Sequence, residues 1–163
     1  MEPPVPARSV FPSEDGAPQL SQQTFTLPEE SSLAEGEVIV RLEGATICNS
    51  DVHTLTGRRR EPTPSVLGHE GCGVVVGTAR PGVSRGDLVT FSITDVCGNC
   101  EKCRVGPQQK CERLGKYGHS RQREGEVPLG CYSTHIKLGP GTALISLPPP
   151  LDVRSVPMFN EVK

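Results

Sequence analysis

The 163-residue sequence has no apolar run near the roughly 18 residues that a membrane-spanning helix needs, so we expect no membrane partner. Its N-terminal stretch, MEPPVPARSVFPSEDG, has no apolar core, and we therefore expect no secretory signal and a cytoplasmic location. Neither sign of charge dominates, with 17 basic and 19 acidic residues, so nothing favours nucleic acid as a partner. The longest basic run, Arg58-Arg59-Arg60, is interpreted as a solvated loop.

The seven cysteines are an odd number, which argues against a simple disulfide framework. In the cytoplasm, glutathione keeps thiols reduced. Cysteines at short spacing in such a chain are more often metal ligands than disulfide partners.

Glycine (18) and proline (16) are abundant, and the apolar segments between them are short. Seven segments show β-branched enrichment or alternation between turn signals, which predicts strands. One segment favours a helix, with Asn49 or Ser50 as its cap and Gly57 at its end. The sequence therefore predicts a mainly β fold, a barrel with one or two short helices and a cysteine-bearing lobe inserted at 93–116. The predicted strands are Arg8–Phe11, Gln19–Leu27, Glu37–Leu42, Gly73–Gly77, Leu88–Ser92, Ser133–Leu138 and Ala143–Leu147.

The lobe carries four cysteines in the pattern C-x2-C-x2-C-x7-C, namely Cys97, Cys100, Cys103 and Cys111. Four thiolates that leave no open position are typical of a structural zinc site. An iron–sulfur cluster is the main alternative, but the ferredoxin pattern places its fourth cysteine after three residues and follows it with proline. Here seven residues intervene and Glu112 follows, so zinc is favoured over a cluster and over free or disulfide-bonded thiols.

A second group of chemically active residues lies in ATICNSDVHTLTG and LGHEGCGVVVG. A catalytic zinc takes three protein ligands and keeps one position open, and Cys48 and His69 are placed to reach one metal. Ser50 and His53 lie three residues apart on the predicted helix and could relay a proton to solvent. Asp51 could orient His69 as a hydrogen-bond acceptor. Taken singly, each residue also has an ordinary structural interpretation, as a small buried side chain, a satisfied histidine or a helix cap.

Together these motifs resemble the zinc-dependent medium-chain dehydrogenase/reductase family, which includes the zinc-containing alcohol dehydrogenases. The resemblance implies a GroES-like catalytic domain, a small alcohol or carbonyl substrate, and NAD or NADP as cofactor. It also implies that Cys48 and His69 bind a catalytic zinc, that Glu70 is its adjacent glutamate, and that Ser50 and His53 are relay positions. The residues that carry it are Cys48-Asn49-Ser50-Asp51-Val52-His53, Gly68-His69-Glu70-Gly71-Cys72-Gly73 and the cysteines at 97, 100, 103 and 111.

The sequence departs from the family pattern where the cofactor domain is expected. A Rossmann domain needs G-x-G-x-x-G between a strand and a helix, and the nearest segment, Gly71–Gly77, has the wrong spacing. We therefore expect a disordered tail at 1–6, the catalytic domain at 7–157, a truncated end at 158–163 and no Rossmann domain. Glu161 is the one late candidate for a third zinc ligand.

The isolated chain is accordingly expected to be inactive in hydride transfer. The alternative is a non-catalytic zinc-binding isoform, and either form could make homo-oligomers or pair with full-length subunits. Among the other residues, Cys72 and Cys131 are expected in the core. His135 is expected to face solvent. Exposure is also favoured for His119 in its polar loop, with contact to substrate as the alternative if that loop lies near the cleft.

Overall fold

The computed structural model describes residues 5–12, 18–123 and 126–148. Within these ranges the chain forms nine strands, two short α-helices and two 3-10 turns. The helices are α1 (Asn49–Leu55) and α2 (Glu101–Val105), and the 3-10 turns are Glu30–Ser32 and Gln108–Lys110. The strands are β1 (Val5–Pro12), β2 (Pro18–Phe25), β3 (Val38–Ala45), β4 (Ser65–Val66), β5 (Gly71–Thr78), β6 (Leu88–Asp95), β7 (Gly115–Lys116), β8 (His135–Leu138) and β9 (Thr142–Ser146).

The strands form two sheets. The larger has six strands in the order β7-β6-β5-β3-β8, and β9 pairs with β6 beside this path. The smaller has the order β2-β1-β4. The larger sheet is antiparallel and curls into a partly open barrel, so the predicted mainly β fold is confirmed.

The core lies on the inner face of the larger sheet. Val38, Val40, Val75, Val89 and Ile136 come from four neighbouring strands and are at most 1% exposed. Successive side chains of a strand point to opposite faces, so these residues converge on one layer. Burying each such side chain contributes roughly 1.5–3 kcal/mol, and this layer holds the strands that carry the site residues at their ends.

The central strand β3 bends just before it leaves the sheet. Its register against β5 shifts between Leu42 and Gly44, which marks a β-bulge or similar irregularity. A bulge turns the strand and re-aims the chain that follows it. This turn leads through Thr46 to Cys48 at the start of α1.

All seven predicted strands are present, with ends shifted by a few residues. The two-residue strands β4 and β7 were not predicted, because two residues are too few to show a period. Helix α1 is confirmed, but its cap is Cys48 rather than Asn49 or Ser50. The backbone N–H of Cys48 donates to Asp51 Oδ2 at 3.0 Å, so the carboxylate closes the first turn from within the helix.

Several smaller expectations can also be compared with the structure. Cys72 and Cys131 are buried in the core as predicted, and His135 is half-buried, alternating with the buried Ile136 and Leu138 along β8. Strand β1 begins at Val5, inside the segment 1–6 that was expected to be a tail. Residues 149–163 lie outside the described residues, and they include Glu161 and the predicted domain boundary at 157. Among the described residues, no helix combines the length and apolarity that crossing a membrane requires.

Candidate metal centres

The four lobe cysteines converge on one point. Their sulfurs lie within 4.8 Å of one another, with separations of 3.4 Å for Cys97–Cys111, 3.9 Å for Cys97–Cys103 and 4.0 Å for Cys100–Cys111. A tetrahedron with zinc–sulfur bonds of about 2.3 Å has edges of about 3.8 Å. The arrangement therefore fits a tetrahedral Cys₄ zinc site and is far too open for disulfides.

Local structure explains this convergence. Helix α2 begins directly after Cys100 and brings Cys103 back one turn later, and the turn Gln108–Lys110 returns Cys111. Two arginines bind Asn99 in the loop from Cys97 to Cys100. Arg104 donates to the Asn99 carbonyl at 2.7 and 2.9 Å, and Arg113 donates to Asn99 Oδ1 at 3.0 Å. Hydrogen bonds thus hold the loop in the conformation that brings the four sulfurs together.

The lobe favours thiolates at two of its positions. The backbone N–H of Asn99 is the main cause that lowers the pKa of Cys97 to about 6. The N–H of Glu112 has the same effect on the pKa of Cys100. Burial instead raises the pKa of Cys103 to about 12, so a cation is needed to hold that sulfur as a thiolate.

A second centre forms around Cys48, His69 and Glu70, whose ligand atoms lie within 4.8 Å of one another. Cys48 stands between β3 and α1, whereas His69 and Glu70 lie between β4 and β5. One thiol, one imidazole and one carboxylate form a donor set that suits a zinc ion with an open position.

Asp51 is the fully buried hub of this second centre. Its Oδ2 accepts from the Cys48 N–H and the Tyr132 hydroxyl, each at 3.0 Å. Its Oδ1 accepts from the Gly68 N–H at 3.2 Å and lies 3.6 Å from His69 Nδ1. Burial would raise the pKa of Asp51, but His69 and these donors outweigh it and lower that pKa, so the carboxylate stays charged.

Asp51 and the neighbouring hydroxyl set the charge states of the two candidate ligands. Burial would lower the pKa of His69, yet the nearby Asp51 carboxylate raises it. Ser50 lies beside the Cys48 sulfur and is the main cause that lowers the pKa of that thiol. The centre therefore favours a thiolate at Cys48 and places a carboxylate beside Nδ1 of His69, the arrangement that orients a histidine ligand and raises its basicity.

Glu70 has its own hydrogen-bond partner, which is separate from Asp51. The Thr46 hydroxyl donates to Glu70 Oε2, while Glu70 Oε1 lies 3.8 Å from His69 Nε2. Sequence reasoning missed Thr46, although it stands two residues before Cys48 in the same motif. It also missed Tyr132, for which the sequence offers no signal, because this tyrosine is 81 residues from Asp51 along the chain.

The glycine before His69 is required by the backbone. Gly68 has φ +86°, and a Cβ atom there would lie 2.7 Å from the Tyr132 ring. The chain can therefore place the Gly68 N–H on Asp51 and His69 in the centre only without a side chain at 68.

The two predicted relay residues lie on α1. Ser50 is half-buried with its Oγ enclosed, and His53 is half-buried one turn further on. This placement is compatible with a path from the centre towards solvent, and the relay itself stays a prediction.

His119 lies in the interior, and the expectation of exposure is wrong. It is 8% exposed, and its ring centroid lies 4.7 Å from that of His69 at an interplanar angle of 34°. Its Nδ1 lies 3.3 Å from Glu61 Oε1, and burial is the main cause that lowers the pKa of His119. The polar run KYGHSRQREGE suggested a solvated loop, because nothing local shows that this loop packs over the second centre.

Comparison with known proteins identifies the family of this chain. The model of the alcohol dehydrogenase GroES-like domain family matches residues 34–149. The chain belongs to this family. The predicted resemblance is therefore confirmed, and the partly open barrel described above is a GroES-like domain.

Relatives of this GroES-like domain are dehydrogenases. S-(hydroxymethyl)glutathione dehydrogenase of Escherichia coli O6:H1 is 42% identical over 99 residues, covering 59% of this chain and 26% of that protein. The alcohol dehydrogenase of Thermotoga maritima has 31% identity and a TM-score of 0.71, covering 91% of this chain and 42% of that one. Acetophenone reductase of Geotrichum candidum, solved in complex with NAD, has 27% identity and a TM-score of 0.70, covering 94% and 42%. The match thus spans about a quarter of the curated relative and about two fifths of each solved chain.

Proposed function

We propose that this GroES-like domain is the catalytic domain of a zinc-dependent dehydrogenase that interconverts a small alcohol and its aldehyde or ketone. The observation that carries the proposal is the convergence of Cys48, His69 and Glu70 beside a separate Cys₄ lobe. A closed thiolate site and a mixed, open site suit a structural and a catalytic zinc, respectively.

In the second centre, Cys48 and His69 would hold the ion and Glu70 would stand beside it as a conditional ligand. A zinc ion bound there would supply Lewis-acid polarisation of the substrate oxygen. Asp51 keeps the His69 ring oriented through its Nδ1 side. Ser50 and His53 would pass the substrate hydroxyl proton along α1 to solvent.

Hydride transfer would use NAD or NADP. The solved complex of acetophenone reductase with NAD supports this choice for the family. The 163-residue sequence contains no G-x-G-x-x-G turn, so we propose that the isolated polypeptide does not turn over alcohols. The nicotinamide would have to be positioned by further protein, since positioning supplies roughly 7–11 kcal/mol of barrier lowering. The reduced thiols of both centres favour the cytoplasm as the location.

The test is a comparison of the isolated polypeptide with a fusion to a nucleotide-binding domain from a solved relative. Zinc content, NADH and NADPH binding by nicotinamide fluorescence, and alcohol oxidation are measured for both, with Cys48→Ala as the control. We expect two zinc ions in both proteins but alcohol oxidation only in the fusion. The Cys48→Ala variant of the fusion should lose one zinc ion and its activity. Tight nicotinamide binding and turnover by the isolated polypeptide would contradict the proposal. Two zinc ions without turnover in the fusion would favour a non-catalytic zinc-binding role.

A further inference from the structure

Two Gly-His pairs, Gly68-His69 and Gly118-His119, lie against each other beside the second centre. Gly118 has φ +73°, and a Cβ atom there would lie 2.6 Å from the Gly68 carbonyl oxygen. The loops that carry His69 and His119 therefore approach each other backbone to backbone, which only glycine at 118 allows. This approach brings the two histidine rings together, with centroids 4.7 Å apart.

His119 is a neighbour of the metal ligands rather than one of them. The described residues whose ligand atoms lie within 4.8 Å of one another at this centre are Cys48, His69 and Glu70. We propose that His119 is a positioning residue, whose ring covers one face of His69 and holds that ligand in the orientation required for metal binding.

The two supports of His69 act in different directions. Asp51 Oδ1 lies 3.6 Å from Nδ1, at the edge of the ring, and sets the direction in which Nε2 points. The His119 ring, packed against the face of His69, instead limits tilting of the His69 ring out of its own plane. Ligands held in place before the metal arrives lose less conformational freedom on binding, so each support raises metal affinity.

His119 is itself enclosed, because its side chain is buried and its loop is bonded to another segment of the domain. Its Nδ1 lies 3.3 Å from Glu61 Oε1, and Glu61 is paired with Arg59. The Gly118 N–H also donates to the Leu129 carbonyl at 2.7 Å, which ties the loop to the segment before Tyr132. Arg58, Arg59 and Arg60 are all exposed, as the solvated-loop interpretation predicts, and Arg59 also pairs with the Glu61 carboxylate that lies beside His119.

The inference rests on the proposed metal at Cys48, His69 and Glu70, and the test separates the two. Co²⁺ is titrated into the metal-free, reduced 163-residue chain, and binding is followed by visible absorption. A Cys48→Ser variant assigns the bands of each centre. His119→Gln removes the ring but keeps a polar group towards Glu61, whereas His119→Phe keeps a ring face and loses that group.

We expect His119→Gln to weaken Co²⁺ binding at the second centre by about 10-fold and to shift its d–d bands. His119→Phe should stay within about threefold of the wild type, with the Cys₄ lobe unchanged in both variants. Wild-type affinity and spectrum in His119→Gln, or equal losses in the two variants, would overturn the inference alone. A wild-type chain that binds Co²⁺ only at the lobe would overturn the metal assignment as well. If His119→Gln does not fold, His119→Phe decides, with a tenfold loss counting against the inference.

Discussion

Replacing Asp51 with asparagine is the sharpest test of the hub at the second centre. The two side chains have nearly the same shape, so the change removes charge and one acceptor without leaving a cavity. Asp51 uses both oxygens: Oδ2 accepts from Cys48 N–H and Tyr132 Oη–H, and Oδ1 accepts from Gly68 N–H.

The expected loss follows from this acceptor count. The asparagine amide has only one acceptor oxygen. Its NH₂ group must therefore face one of two sets of neighbours: the Gly68 N–H and the His69 ring, or the Cys48 N–H and the Tyr132 hydroxyl. A buried donor without a partner costs about 1–3 kcal/mol, and the remaining bonds lose their charge assistance. We therefore expect Asp51→Asn to lower the free energy of unfolding by about 2–4 kcal/mol.

The assay is urea unfolding followed by far-ultraviolet circular dichroism, since the chain has no tryptophan for fluorescence. Asp87→Asn is the matched control, because Asp87 accepts a single exposed bond from the Ser84 N–H and should lose less than about 1 kcal/mol. Folding lowers the pKa of Asp51 below its unfolded value of about 3.9. The carboxylate therefore stabilises the folded state fully above that value, and this stabilisation is lost as the pH falls through the folded-state pKa. The gap between wild type and Asp51→Asn should thus narrow below about pH 4. It should also narrow above about pH 6.5, as the pH rises through the folded-state pKa of His69, because the Asp51 carboxylate is what raises that pKa. Equal stabilities of the Asp51→Asn and Asp87→Asn variants at pH 7 would refute the reasoning.

Three further predictions concern the metals and the relay. Cys100→Ser should lose about one zinc equivalent and melt at a lower temperature, because zinc binding at the lobe is coupled to folding; iron by elemental analysis, or an unchanged melt, would contradict this. A mild chelator should strip the Cys48/His69/Glu70 centre before the Cys₄ lobe, since it has fewer strong ligands; equal rates at the two centres, followed after cobalt substitution, would speak against an open site. In the fusion described above, His53→Ala should slow alcohol oxidation most at low pH, where solvent hydroxide is scarce; a pH-independent loss would argue against a relay through His53.

The sequence predicted which residues converge at the two candidate metal centres better than it predicted their surroundings. The lobe is encoded within 15 residues, so its spacing alone indicates four convergent sulfurs, and the structure brings them together. Cys48 and His69 were predicted to share a site because one follows a strand and the other precedes one. The mainly β fold was predictable for a similar reason, since its long strands carry a clear alternation of buried side chains.

The supports of the second centre could not be predicted, because they depend on contacts that are distant along the chain. Tyr132 reaches Asp51 across 81 residues, and His119 reaches His69 across a loop whose composition is typical of solvent exposure. The helix cap was misassigned because a cysteine is a poor cap, and here the cap bond comes from the Asp51 side chain to the Cys48 N–H. Such contacts follow from packing between separate segments and leave no local pattern.

The position of Asp51 has a consequence for how this centre can evolve. One carboxylate closes the first turn of α1, receives the Gly68 loop and faces the His69 ring. A lineage that dispenses with the metal is free to replace Cys48 or Glu70, but it cannot discard Asp51 without also losing a helix start and a loop anchor. We therefore expect descendants that lose the proposed metal site to keep this aspartate after Cys48 and Glu70 have been replaced, because its two structural roles do not depend on a metal.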